Sequence, residues 1–272
     1  YAKVNLALNV VGKTKKLHRI ESLISFINLH DLIFIKKIRS KSHNIIFKGK
    51  FSKNIKSNNT VSKLLQILDR KKLINQKFQI KVVKNIPQKA GLGGGSMNAA
   101  NILKYFIRKK ILNISNKQIL EISQVIGSDV ILGIDTTNSI LTSKNRIKRF
   151  YNNSNLYTLI TKPKFGCSTK DIYSHVKKFD KIKFKKPNKK MFDIDFLKKS
   201  NNSLEKIVLK KYPILKKIKS YLINLENPLF VRMTGSGSAL VSYYYSKKQC
   251  DKAQKQFNKD NKKYWSISSK TI

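Results

Sequence analysis

Four glycines crowd into five positions of Pro87-Gln88-Lys89-Ala90-Gly91-Leu92-Gly93-Gly94-Gly95-Ser96-Met97. Without Cβ atoms the backbone there reaches positive φ and lies close against a ligand. Successive N–H groups form a concave nest, and a helix opening on the loop adds the positive end of its dipole. Such a loop suits a di- or triphosphate. It is not a Walker A loop, because no Gly-Lys-Ser/Thr closes it. It is a poor dinucleotide fingerprint, because no Asp or Glu suited to hold a ribose follows about 20 residues later; Glu121 falls inside a helical stretch. A bare strand-to-helix turn needs one or two glycines, not four.

A second chemical group stands in Ile126-Gly127-Ser128-Asp129-Val130. The chain has only 14 acidic residues, and this Asp directly follows a glycine-ended helical pattern. By itself it reads as a turn or capping residue more than as a catalytic one. The four histidines, His18, His30, His43 and His175, show no metal-ligand spacing, so no metal site is expected. Cys167 and Cys250 belong to no C-x-x-C pair, which fits a reducing, cytoplasmic setting.

The elements that must carry these groups read as a mixture. Val4 to Val11, Ile20 to Phe26 and Leu32 to Ile38 read as strands, with a turn at His30-Asp31, and Ile45 to Phe51 as a weaker one. Asn58-Asn59-Thr60 caps a helix through Val61, Leu64, Leu65 and Leu68. Phe78 to Val83 is a strand leading to the glycine loop, and Ser96 to Lys110 is the helix leaving it. Ser115 to Ile126 is a helix closed by Gly127. Ser143 to Asn155 has little periodicity and marks a boundary, giving domains 1–150 and 151–272. Beyond it, Leu156 to Thr161 and Val241 to Tyr245 read as strands, Lys178 to Lys199 as mostly loop, and Ile207 to Leu225 and Lys247 to Phe257 as helices. Strands and helices without strict alternation indicate an α+β fold. No run of about 18 uncharged apolar residues suggests a membrane span, and no signal peptide is evident at the start.

The net charge of +44 raises nucleic acid as a partner. Of the 58 basic residues, however, seven are Arg and 51 are Lys, and the Lys are spread over almost every segment. Base reading and bidentate phosphate contacts favour Arg. Lys, Ile and Asn also share A/T-rich codons, so composition explains most of the charge. No specific nucleic acid and no membrane are expected as partners, and a monomer or weak homodimer is.

The loop Pro-x-x-x-Gly-Leu-Gly-Gly-Gly-Ser resembles the phosphate loop of the GHMP kinases. Ala2-Lys3-Val4-Asn5-Leu6, Leu17-His18-Arg19-Ile20-Glu21-Ser22 with the later Asp31, and Met233-Thr234-Gly235-Ser236-Gly237-Ser238 match further motifs of that family, in order, from residue 2 to about 240. The triple glycine and Asn98-Ala99-Ala100 resemble members that act on a cytidine diphosphate methylerythritol in non-mevalonate isoprenoid biosynthesis.

The resemblance implies an N-terminal domain like domain 2 of ribosomal protein S5 and a ferredoxin-like C-terminal domain that completes the substrate cleft. It implies ATP, with magnesium as Mg–ATP, bound by Pro87, Gln88, Lys89, Ala90, Gly91, Leu92, Gly93, Gly94, Gly95, Ser96 and Met97. It implies Lys3 and Asp129 as the catalytic pair. Asn5, His18, Thr169, Tyr173, Gly235, Ser236 and Gly237 would hold the small-molecule substrate. Three positions depart from the pattern. Leu17 replaces a Tyr that stacks on cytosine, Met97 replaces a second Ser, and Ile131 replaces a Pro after Asp-Val. A homoserine- or mevalonate-like alcohol is the alternative substrate, and an RNA-binding protein the alternative class.

Overall fold

The computed structural model describes residues 1–15, 17–151 and 155–272. Lys16, part of the motif around His18, and 152–154, part of the boundary stretch, lie outside the described residues. In chain order the elements are β1 (Ala2–Lys13), β2 (His18–Ile27), β3 (Leu32–Ile38), β4 (Asn44–Lys48), α1 (Thr60–Arg70), β5 (Lys77–Val83), α2 (Gly94–Arg108), α3 (Asn116–Ile126), β6 (Asn138–Leu141), β7 (Ile147–Phe150), β8 (Tyr157–Lys162), α4 (Thr169–Ser174), α5 (Ile194–Lys199), α6 (Ser203–Lys211), α7 (Pro213–Ile223), β9 (Phe230–Met233), β10 (Leu240–Tyr244), α8 (Lys247–Asp260) and β11 (Trp265–Lys270). Short 3₁₀ turns occupy Ile131–Ile134 and Lys189–Phe192. The α+β reading therefore holds.

Two compact units interleave along the chain. One comprises Tyr1–Ala2, Leu29–Gln88 and Gly93–Thr136, the other Lys3–Asn28, Lys89–Leu92 and Thr137–Ile272. They are drawn by compactness and so do not follow the sequential division at residue 150.

The first unit has a three-stranded sheet in the order β3-β5-β4. β3 runs antiparallel and β4 parallel to the central β5. Phe78, Ile80 and Val82 of β5 alternate inward, and α1 and α2 cover them with Leu64, Leu68, Leu103 and Phe106. The α1 start is held by a capping box: Asn59 accepts from Val61 N and Ser62 N, and Ser62 Oγ accepts from Asn59 N.

The second unit has two four-stranded sheets, β1-β2-β6-β7 and β11-β8-β10-β9. In the latter, β8 is antiparallel to β10 and β11, and β10 to β9. β1 alternates as expected, but both of its faces are buried. Leu8 and Val10 join the apolar core, while Lys3, Asn5 and Asn9 on the opposite side are only 2–4% exposed. A polar strand face hidden from water must be hydrogen-bonded, and it marks a place where the fold concentrates polar chemistry.

Several expectations change. The helix read over Ile207 to Leu225 is two, α6 and α7, because Pro213 has no N–H to continue the ladder and sits instead at the first turn of α7. β2 and β3 belong to different sheets. The Lys178 to Lys199 stretch ends in α5. Gly127 ends α3 with an extended φ of 167°, so its role there is not a left-handed cap. The α1 cap yields a prediction: Asn59→Ala loses about 1 kcal/mol of stability in urea unfolding, the usual worth of such a cap.

Candidate active site

The glycine loop is built from alternating backbone twists. φ is positive at Lys89 (49°), Gly91 (74°) and Gly93 (67°), the kind of pattern that turns successive N–H groups toward one point. Gly93 precedes α2 without any side-chain cap, whereas α1 and α3 both start with capping boxes. The first-turn N–H groups of α2 therefore have no capping side chain to take them, as an anion site requires.

Within the first unit the Asp129 segment packs on this same helix start. A methyl added at Gly127 would lie 3.7 Å from Ser96 Oγ, and one at Gly133 would lie 2.9 Å from Met97 Sδ and 2.8 Å from Ala100 Cβ. Asp129 stands between these two glycines, half-buried, where its carbonyl accepts from Leu132 N (3.2 Å) at the start of the 3₁₀ turn. The structure thus packs the 127–133 segment that carries Asp129 against Ser96 and Met97, at the start of the helix that follows Gly93, Gly94 and Gly95. Met97 is 1% exposed and fills space against Gly133, so its side chain serves packing and no hydroxyl is called for there. Pro87 and Gln88 open the loop in this unit, and Gln88 Nε2 donates to Phe51 O and Lys53 O, both at 2.8 Å.

The second unit gathers the other predicted residues. Lys3 Nζ donates to Asn5 Oδ1 at 2.5 Å, Asn5 Nδ2 to Ser22 Oγ at 2.8 Å, and Asn5 N to Thr234 Oγ1 at 3.0 Å. Thr234 Oγ1 in turn donates to Gly91 O at 3.1 Å. Lys89–Leu92 are laced in by the backbone: Lys3 N donates to Leu92 O (3.1 Å), Ser238 N to Lys89 O (3.3 Å) and Ala239 N to Ala90 O (3.2 Å). A methyl on Gly91 would fall 1.9 Å from Thr234 O, so glycine is required there by space as well as by φ. Thr169 and Ser236 share a hydrogen bond of 2.9 Å. Gly235 and Gly237, at φ of 54° and 80°, flank Ser236.

His18 and Tyr173 meet ring to ring, 5.1 Å apart and tilted by 40°, with Phe179 at 6.4 Å from His18. Leu17 is 70% exposed beside them. Partial burial and the nearby Lys13 charge hold the His18 pKa below the ordinary imidazole value of 6.5. The ring is therefore neutral at pH 7, with one nitrogen donating and one accepting.

Two positioning groups of this unit escaped the sequence reading. Asn202 is 4% exposed; its Nδ2 donates to Met233 O and Gly235 O at 2.8 Å while its Oδ1 caps α6 through Leu204 N. Arg232 is 5% exposed and donates to the carbonyls of Leu6, Leu197 and Ser200. The Asn at the α6 start was a readable N-cap signal; nothing in the sequence announces its second duty. Among the described residues no three His, Cys, Asp or Glu side chains are grouped to hold a metal, and no helix is long and apolar enough to cross a membrane.

Comparison with known proteins places these features. A protein of Pelagibacter ubique (strain HTCC1062) described as 4-diphosphocytidyl-2-C-methyl-D-erythritol kinase is 57% identical over 273 residues, covering 100% of this chain and 97% of that one. The chain belongs to the GHMP kinase family. The family model for the GHMP kinases N terminal domain matches residues 59–141, which include the glycine loop and Asp129. A Clostridium botulinum (strain Loch Maree / Type A3) protein of the same description is 36% identical over 253 residues, covering 90% of this chain and 89% of that one.

The fold of this GHMP kinase is also that of a crystal structure of 4-(cytidine 5'-diphospho)-2C-methyl-D-erythritol kinase (TM-score 0.77, 21% identity, 99% of this chain and 97% of that one). Homoserine kinase from Cytophaga hutchinsonii shares it as well (TM-score 0.69, 15% identity, 100% and 94%). Family membership makes the chain a phosphotransferase that uses ATP.

Two outcomes follow for the kinase. Gly91→Ala, which forces a left-handed Cβ onto a carbonyl, loses at least about 2 kcal/mol in denaturant unfolding. In an NMR titration the His18 ring reaches its midpoint below 6.5.

Proposed function

We propose that this kinase transfers the γ-phosphoryl group of ATP to the 2-hydroxyl of 4-diphosphocytidyl-2-C-methyl-D-erythritol, a step of the non-mevalonate isoprenoid pathway. The observation that carries the reading is the full-length 57% identity to a relative of that description. The buried polar face of β1 and the uncapped start of α2 supply the chemistry it needs.

Phosphoryl transfer asks for positioning and charge stabilisation more than for covalent chemistry. The loop Pro87 to Met97 holds the triphosphate, with the backbone N–H groups of Gly93 to Gly95 as its donors. Asp129 takes the proton of the attacking hydroxyl as general base. Lys3 steadies the developing charge, held in place by Asn5. Thr169, Ser236 and the Gly235–Gly237 turn hold the polar part of the alcohol. His18 and Tyr173, packed ring to ring, together face the cytosine, and Leu17 adds apolar contact where the family's Tyr would stack. A neutral His18 offers a base edge either a donor or an acceptor nitrogen.

Magnesium enters with ATP. The chain shows no cage of carboxylates for it among the described residues, and phosphate oxygens and water would supply most of its ligands, where it would offset phosphate charge. The chain acts in the cytoplasm as a monomer or weak homodimer, and its charge serves no specific nucleic acid or membrane.

Assays with the cytidine substrate, homoserine and mevalonate separate this reading from its closest competitor, another alcohol on the same fold. Turnover of the cytidine compound alone is expected, and preference for homoserine or mevalonate contradicts it. Asp129→Asn lowers kcat by about 10²- to 10⁴-fold; near-equal turnover removes Asp129 as the base.

A further inference from the structure

Asp31 is buried, acidic and unused by the chemistry described above. Its side chain is fully buried, and that of its partner Lys84 is 5% exposed. Oδ1 accepts from Asn85 N at 2.7 Å and Ile86 N at 2.8 Å. Oδ2 accepts from Asn98 Nδ2 at 2.9 Å and from Lys84 Nζ. A carboxylate has about four acceptor sites, so this one is saturated.

All four donors come from two short stretches. Residues 84–86 are the last before the glycine loop, and Asn98 lies in the first turns of the helix after it. The first residue of α2 rests on the same stretch. A methyl at Gly94 would lie 2.9 Å from Ile86 Cγ2 and 3.4 Å from Lys84 Nζ. On the other side Thr60 Oγ1 donates to Gly95 O at 2.7 Å. Gly94 and Gly95 have no side chains of their own to anchor them, so their place depends on these neighbours.

We infer that Asp31 is a positioning residue for ATP: its carboxylate staples the strand end before the glycine loop to the helix after it and so fixes the α2 N–H groups. A buried ion pair is a poor source of net stability, and here its return is geometric. Angstrom-scale displacement of a positioned group costs up to about 10²-fold in rate. The inference rests on the reading of the loop as the ATP site.

The test is steady-state kinetics on the full chain with Asp31→Asn, with the double variant Asp31→Asn/Lys84→Met, and with Gly95→Val as a direct loop perturbation. The double variant removes both charges, so it folds even where the single one leaves Lys84 stranded. Both Asp31 variants are expected to raise KM for ATP by about tenfold while KM for the alcohol stays within about twofold, a split that loss of stability alone does not produce. The inference is overturned if both KM values move together, if only the Tm falls, or if the double variant returns to the wild-type KM for ATP. The last result would make Asp31 a mere counter-charge for Lys84. Gly95→Val keeps the two readings apart. If it leaves KM for ATP unchanged, the loop does not hold ATP; if it raises that KM and the Asp31 variants do not, only the staple is wrong.

Discussion

The close approach of backbone to backbone at Gly91 governs the second unit. Thr234 O stands where a Cβ would be, and three main-chain hydrogen bonds fix Lys89, Ala90 and Leu92 to Ser238, Ala239 and Lys3. Through Leu92 the glycine loop itself sets the position of Lys3, and through Thr234 it sets that of Asn5. One short stretch, built around a glycine that has no room for a side chain, thereby orders the residues proposed to meet the substrate. It then continues directly into α2, where the phosphates are proposed to sit.

Burying that much polarity is costly unless each group is paired. The fold pairs them in short chains that end on backbone atoms. Lys3 leads to Asn5, Asn5 to Ser22, and Ser22 Oγ to Ala7 O at 2.7 Å. Asn202 and Arg232 hold the surrounding carbonyls by the same means. Each such bond contributes about 1 kcal/mol net, but leaving one unmade costs about 1–3 kcal/mol. The network therefore resists rearrangement more than it adds stability, which is what a phosphoryl-transfer site demands of its walls.

The glycine loop, the Asn59 cap and the alternation of β1 were legible because each has a local physical signature. What the residues alone could not convey was that the polar side of β1 is buried, since alternation looks the same whether the second face meets water or protein. Lys3, one of 51 Lys, became visible only through its motif. Asp31 was visible as part of a motif, but its four donors come from residues more than fifty positions away. The break at Pro213 was readable and was missed, because apolar spacing carries straight across it. β6, β7, β9 and β11 escaped for a different reason: they are short or serine-rich, and neighbouring strands, not their own composition, make them strands.

Phosphate recognition is proposed for the start of α2, and alcohol recognition for the polar face of β1 with the 234–238 turn. Hydrogen–deuterium exchange with each ligand in turn tests that division most directly. A non-hydrolysable ATP analogue is predicted to slow exchange at 93–98, and the cytidine alcohol at 3–6, 169–173 and 234–238. Protection of the alcohol set by the analogue alone, or of neither set by either ligand, contradicts it.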